Sequence, residues 1–288
     1  MILTLDGGLS NVLESQGCNL NHKLWTAIII KKNPEAIVNA HLEYINAGAD
    51  IITTSSYQAS IQGLKSIGHS KPEAREIILE TVRLAERAVS LAQGTKLQIA
   101  ASIGPYGAFL ADGSEYKGGY GISTEELNDF HKERIEILDG SSADILACET
   151  IPCIQEAQVL AEILAKCTKP SWVSFSFKDE EHINDGSKFS DCIEIFLGHP
   201  KVFALGVNCT KPEHVSNIIR TIRSSEWNGK IIAYPNSGED YCPKTKSWAD
   251  SPSPFLEFAQ EWKTLEVDII GGCCRIGPAE IKELKQPA

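Results

Sequence analysis

The sequence has no apolar run long enough to cross a bilayer. A long charge-free stretch, Gln98 to Ala111, is interrupted by Gly104, Pro105 and Gly107, whereas a spanning helix needs about 18–20 consecutive apolar residues. The first residues, Met1-Ile2-Leu3-Thr4-Leu5-Asp6, form neither a basic start with an apolar region nor an Arg-rich amphipathic pattern. No secretory or organellar signal is read there, and a cytoplasmic location is expected. Basic charge is scarce: 27 Lys and Arg stand against 38 Asp and Glu, for a formal net charge of −11. That balance argues against nucleic acid or an anionic membrane as a partner. The seven histidines form no His-x-His or His-Glu-x-x-His pattern, so histidine ligation of a metal is not expected. There is no Cys-x-x-Cys pair. No Gly-x-Gly-x-x-Gly follows the first strand-like run, and no P-loop Lys-Ser/Thr follows the glycine-rich Gly118 to Gly121. No linker, low-complexity segment or charge block divides the chain.

What is present is a foldable chain, 42% hydrophobic and 23% charged, able to bury a sizeable core. Short β-rich runs alternate with helical patterns. The runs are Ile2–Leu5, Asp50–Thr54, Leu97–Ser102, Asp144–Cys148, Ser171–Phe177, Val202–Asn208, Lys230–Tyr234 and Val267–Ile270. Helical patterns with clear ends lie between them. One opens at Asn33-Pro34 and closes at Gly48; one runs from Pro72 to Gln93, closed by Gly94; one begins with the capping pair Ser123 and Glu126. Others cover Ile154–Lys166, a stretch entered near Pro212, Pro254–Leu265 and Pro278–Lys285. The segment Gly104–Gly121 shows little regular pattern and reads as a lid or binding loop. Strands separated by helices imply parallel pairing with right-handed crossovers. Eight such units in a chain of this length predict a single (β/α)8 TIM barrel over residues 1–288. An open doubly wound sheet is the rival.

In such a barrel the functional face is the C-terminal end of the strands. Polar and thiol residues collect there: Asp6, Ser55 and Tyr57, Cys148-Glu149, Asn208-Cys209, Asn236, and Gly271-Gly272-Cys273-Cys274-Arg275. Adjacent side chains on a strand point to opposite faces, so Cys273 and Cys274 converge only where the backbone turns, a freedom that Gly271 and Gly272 supply. Cys209 completes a set of three thiolates, the pattern of a catalytic zinc with one open position. The plainer reading is that these are small apolar core residues. The chain has nine cysteines; the odd number and irregular spacing argue against a disulfide framework. Cys148 faces either the core or the barrel mouth, and Cys18, Cys153, Cys167, Cys192 and Cys242 read as packing or surface thiols.

The segments Leu5-Asp6-Gly7-Gly8, Ser56-Tyr57-Gln58-Ala59, Gly104-Pro105-Tyr106-Gly107, Cys148-Glu149-Thr150, Gly206-Val207-Asn208-Cys209, Tyr234-Pro235-Asn236-Ser237-Gly238 and Gly271-Gly272-Cys273-Cys274-Arg275 resemble those of the homocysteine S-methyltransferase family. They occur in the family's order and span nearly the whole chain. The resemblance is strongest to stand-alone enzymes using S-methylmethionine or S-adenosylmethionine. It implies a zinc-dependent barrel in which Cys209, Cys273 and Cys274 hold Zn2+ and homocysteine adds its sulfur as fourth ligand. The bound thiolate attacks the methyl carbon of the sulfonium donor in line, and methionine forms.

Further roles follow from the resemblance. Asp6 and Glu149 hold the homocysteine ammonium, against the alternative of a loop cap or surface ion pair. The backbone amides of Gly7 and Gly8 receive the amino-acid carboxylate, as amides in a nest do. Trp25 and Tyr57 match positions that in betaine-using relatives contact the cationic donor, a cation–π contact worth about 0.5–2 kcal/mol; for Trp25 ordinary packing is the alternative. Asn236 approaches the metal when substrate is absent, or is a plain turn residue. Arg275 orients the turn after the cysteine pair or meets a carboxylate. The long C-terminal arm of the betaine-using branch, and folate and cobalamin modules, have no counterpart here. The expected partners are small molecules, homocysteine and a sulfonium donor, with the chain a monomer or small homo-oligomer. Three alternatives stay open: a selenocysteine methyltransferase, a non-catalytic zinc-thiolate or redox-sensor barrel, and an unrelated barrel enzyme without metal.

Overall fold

The computed structural model describes residues 2–22, 24–92, 97–242, 247–249 and 251–286. Eight parallel strands form one sheet: β1 (Leu3–Thr4), β2 (Ile51–Thr53), β3 (Gln98–Ile103), β4 (Ile145–Ile151), β5 (Ser171–Phe175), β6 (Val202–Asn208), β7 (Lys230–Tyr234) and β8 (Ile269–Ile270). Sequence neighbours pair from β2 to β8, and β8 pairs with β1 through Leu3 and Ile269. The ring closes between β1 and β2. There Leu5 bridges Ile51, the Asp6 N–H donates to the Ile51 carbonyl at 3.0 Å, and the Asp50 N–H donates to the Thr4 carbonyl at 2.7 Å. This is the (β/α)8 barrel that the alternation predicts.

Strand alternation decides which side chains form which core. Leu5, Ile51, Ala100, Ile145, Ala147, Trp172, Ala204, Ile232, Tyr234 and Ile269 form one cluster, the barrel interior. Their neighbours Ile52, Ala101, Leu146, Cys148, Val173, Leu205, Ala233 and Ile270 belong to the layer between sheet and helices. Cys148 therefore faces the core. The small interior residues Ala100, Ala147 and Ala204 leave room for Trp172 and Tyr234, whose rings meet edge to face at 6.3 Å.

Helix starts follow their caps. The Asn33 side chain accepts the Ala36 N–H at the head of Pro34–Asn46, and Ser123 and Glu126 form a reciprocal box before Thr124–Asp139. The long helix spans Lys71–Leu91, and its expected closing Gly94 lies outside the described residues. Several features depart from the sequence reading, among them the short helices Leu9–Ser15 and Ile61–Lys65, for which no helical pattern is read. A helix, Phe189–Ile195, stands between β5 and β6 where no helical pattern is read; seven residues are too few to display a 3.6-residue period. The segment 104–121 is not patternless, since it holds the short helix Tyr106–Leu110 and the 3-10 turn Ser114–Tyr116. After β7, Asp240–Cys242 and Ser247–Ala249 form an antiparallel hairpin. Among the described residues no helix is long and apolar enough to cross a membrane.

Candidate active site

A cavity of about 650 Å³ opens at the C-terminal ends of the strands. The inward-facing positions explain its chemistry. They are apolar along each strand and turn polar at its end: Ser102 after Ala100, Glu149 after Ala147, Ser174 after Trp172, Asn208 after Ala204, Tyr234 after Ile232. Of the residues expected to form the site, Asp6, Gly7, Gly8, Trp25, Tyr57, Glu149, Cys209, Cys273 and Cys274 all line this cavity.

The three cysteines come from two loops. Cys209 follows β6 with a left-handed φ of 46°. The Cys273 N–H donates to the Pro235 carbonyl at 2.7 Å, and the Cys274 carbonyl accepts the Ser237 N–H at 3.1 Å. The loop after β7 thus clamps the pair. The glycines before the pair act otherwise than the sequence suggests. Gly271 and Gly272 are not left-handed; Arg275 takes that turn, with φ 68°. They are needed for close approach, because a Cβ on Gly272 would lie 2.1 Å from the Ile276 side chain and one on Gly271 would lie 2.7 Å from the Asp6 carbonyl. One sulfur each from Cys209, Cys273 and Cys274 lies within 4.8 Å of the others, the only such group of His, Cys, Asp and Glu among the described residues. The expectation of three free thiols is corrected in one respect: Cys209 and Cys273 are joined as a disulfide and Cys274 is free. A disulfide framework is still absent among the described residues, since the other described thiols, Cys18, Cys148, Cys153, Cys167 and Cys192, are unpaired. The side chain of Cys242 lies outside the described set.

Two carboxylates sit beside the thiols. Asp6 is buried and accepts the Thr53 N–H at 2.7 Å and the Thr53 hydroxyl at 3.1 Å. Burial holds its carboxyl well above the usual range, against those hydrogen bonds, and the charge of Glu149 adds to the rise. Glu149 is pushed up to about 7 by burial, although its oxygens accept the Ser102 and Tyr234 hydroxyls. Among the described residues neither carboxylate has a cationic partner. Burial disfavours the ionised form of both carboxylates, and a cation placed beside them would favour it. The end of β4 carries a bulge here, where its register with β5 shifts between Cys148 and Ile151. It is fixed by Asn208, whose Oδ1 accepts the Thr150 N–H at 2.7 Å and whose Nδ2 donates to the Thr150 hydroxyl at 2.8 Å.

The rings of Trp25 and Tyr57 meet at 6.1 Å and 74°, making an aromatic corner of the cavity. Two other expectations fare differently. The Gly8 N–H donates to the Ile276 carbonyl at 3.0 Å, so it is not an open donor. Asn236 is not part of the cavity lining; its Oδ1 accepts the Gly238 N–H at 2.9 Å, the turn role. Arg275 meets a carboxylate, donating to Glu239 through Nε at 3.0 Å and Nη2 at 3.3 Å. Thr53, Ser102 and Glu115 also line the cavity and lie outside the quoted motifs, while Asn208 and Tyr234 line it from within two of those motifs, where no role was assigned to them. The signal that finds most of them is the polar residue at the last inward strand position.

Backbone strain marks the same place. Six described non-glycine residues have positive φ, and five of them, Trp25, Ala111, Thr150, Cys209 and Arg275, line the cavity. Such conformations cost about 1–3 kcal/mol each and concentrate at functional sites.

A family profile described as homocysteine S-methyltransferase matches residues 3–288. The chain is 43% identical over 294 residues to homocysteine S-methyltransferase YbgG of Bacillus subtilis (strain 168), covering 98% of this chain and 93% of that one. It is 39% identical over 301 residues to a selenocysteine Se-methyltransferase of Brassica oleracea var. italica, covering 97% and 87%. The metallated form of the homocysteine methyltransferase MmuM from Escherichia coli matches with a TM-score of 0.89 and 38% identity, over 99% of this chain and 95% of that one. The oxidized form of the same protein gives the same values.

Proposed function

The chain belongs to the homocysteine S-methyltransferase family, and from that premise we infer that its cavity transfers a methyl group to homocysteine from a small sulfonium donor, at a zinc ion held by Cys209, Cys273 and Cys274. The observation that carries the reading is one cavity in which three cysteine sulfurs lie beside two buried carboxylates that lack a cation.

The donor set suits the metal. Thiolates are ligands that zinc takes, and Cys209, Cys273 and Cys274, whose sulfurs lie within 4.8 Å of one another, would hold it. Three protein ligands leave one position for a substrate sulfur. A disulfide between Cys209 and Cys273 and a metal-bound trio are alternative states of the same atoms, so reduction precedes loading. When bound, zinc supplies a positive centre that favours the thiolate form of the acceptor at neutral pH.

Asp6 and Glu149 receive the acceptor's ammonium, which supplies the positive charge their burial calls for. Trp25 and Tyr57 offer ring faces to the donor's sulfonium. The acceptor thiol gives its proton to solvent. Its sulfur lone pair then forms the new S–CH3 bond while the donor's C–S bond breaks. That bonding pair stays on the donor sulfur, which leaves as a neutral thioether. The chain's part is to hold the two sulfurs in line within one cavity.

The test is a donor competition with reduced, zinc-loaded enzyme. Homocysteine is offered with deuterated-methyl S-methylmethionine or S-adenosylmethionine, and labelled methionine is measured by mass spectrometry. Labelled methionine from at least one donor is expected; its absence with both rejects the reading. Selenocysteine in place of homocysteine tests the second acceptor, which the Brassica relative's name suggests.

A further inference from the structure

Glu115 is a third carboxylate in the cavity, and the chemistry above gives it no task. It sits on the 3-10 turn Ser114–Tyr116. Its Oε2 is enclosed and has no hydrogen-bond partner, and no ion pair to it occurs among the described residues. Burial pushes this carboxyl up to about 7. A buried acceptor without a donor is costly and calls for a ligand that meets it.

The turn is held in place. The Ser176 hydroxyl donates to the Glu115 carbonyl at 3.2 Å. A Cβ on Gly107 would lie 2.4 Å from the Glu115 nitrogen, so the short helix Tyr106–Leu110 rests directly on this backbone. Both ends of the surrounding segment are tied to the buried Glu156, which accepts the Tyr106 N–H at 2.6 Å and the Tyr120 hydroxyl at 2.8 Å. Glu156 in turn meets His131 Nε2 at 2.7 Å. Glu115 is therefore presented from a fixed loop.

The charges can be matched. The acceptor brings one ammonium for Asp6 and Glu149. The donor brings a sulfonium, for which no carboxylate has yet been assigned. Glu115 lines the same cavity as Trp25, Tyr57 and Cys274, and it is the charged group that acts most strongly on both the Tyr57 phenol and the Cys274 thiol, so it faces the space where the donor's aromatic corner and the cysteines meet. We propose that Glu115 is the counter-charge of the sulfonium donor and makes the site select a cationic methyl donor over its neutral thioether product. This rests on the methyl-transfer reading. Once the donor's C–S bond pair has returned to its sulfur, the positive charge is gone and so is the attraction to Glu115, which favours release of the spent donor.

The experiment compares S-methylmethionine with methionine, which differ by one methyl group and one positive charge. Their affinities for wild type, Glu115→Gln and Glu115→Ala are measured by calorimetry on zinc-loaded protein, with melting curves to verify folding. Wild type is expected to prefer the sulfonium by about tenfold or more. Both variants lose that preference, while homocysteine affinity and zinc content stay at wild-type values. Donor KM rises correspondingly in turnover assays. Two results overturn the proposal: a preference that survives in the variants, or donor and homocysteine affinities that fall together. Absence of methyl transfer by wild type in the competition assay rejects the functional reading instead, while the binding comparison still reports on Glu115 by itself.

Discussion

Glu149 gives the sharpest test because function and stability pull its charge in opposite directions. Burial raises its carboxyl from 4.5 to about 7. The folded state therefore holds this proton more tightly than the unfolded chain. The associated stability is present below about pH 4.5 and is lost as pH rises through about 7. Each tenfold change in proton affinity corresponds to about 1.4 kcal/mol, so the ionised group costs the folded state about 3 kcal/mol at pH 8. Glu149→Gln removes that cost. The amide oxygen keeps an acceptor for only one of the Ser102 and Tyr234 hydroxyls, which donate to different oxygens of Glu149; the other hydroxyl must turn to accept an amide N–H, and the remaining buried N–H is unpaired, which returns about 1–2 kcal/mol. The variant without ligand is expected to melt about 2–6 °C above wild type at pH 8, and to lose this advantage at pH 5. Its kcat/KM for homocysteine should fall at least about a hundredfold, because the ammonium loses a buried charge partner. In wild type kcat/KM should rise with pH through about 7, as Glu149 ionises. Calorimetric melts and steady-state kinetics decide the matter. A variant that melts below wild type at pH 8 as well as pH 5, or that uses homocysteine undiminished, refutes the reasoning.

Cys209→Ala, Cys273→Ala and Cys274→Ala should each reduce bound zinc to below about a tenth of an equivalent and methyl transfer at least about a hundredfold. Metal analysis and product assays check this, and wild-type turnover in any of the three rejects the thiolate trio. Trp25→Ala and Tyr57→Ala should raise the donor KM about 2–30-fold, the kinetic equivalent of about 0.5–2 kcal/mol, with the homocysteine KM unchanged; equal weakening of both substrates counts against the cation–π role. Trp172→Ala should cost about 3–5 kcal/mol in chemical denaturation, since it empties the barrel interior beneath Tyr234 and Glu149. A loss under about 1 kcal/mol would mean that the interior repacks freely.

The sequence by itself determined the architecture and the inventory of the site. Short β-rich runs separated by capped helices specify parallel strands, and β6 and β7 fall on the residues their runs predict. The same pattern delivers Asp6, Glu149, Cys209 and Cys273-Cys274 to one end of the barrel, because each follows an apolar run in the same direction along the chain. Short elements such as Phe189–Ile195 escape, since a single turn or two cannot express a period. Only the tertiary structure decided which donors are open. The Gly8 N–H is consumed by Ile276, and Asn236 is spent on its own turn. It also decided that Gly271 serves close approach to Leu5 and Asp6, and Gly272 to Ile276 of its own loop, rather than a left-handed turn, which Arg275 provides. And it brought Glu115 from a segment without sequence pattern into the cavity. These are outcomes of residues far apart in the chain meeting in space, where occupied hydrogen bonds and interatomic gaps are set by the packed partner and not by any local periodicity.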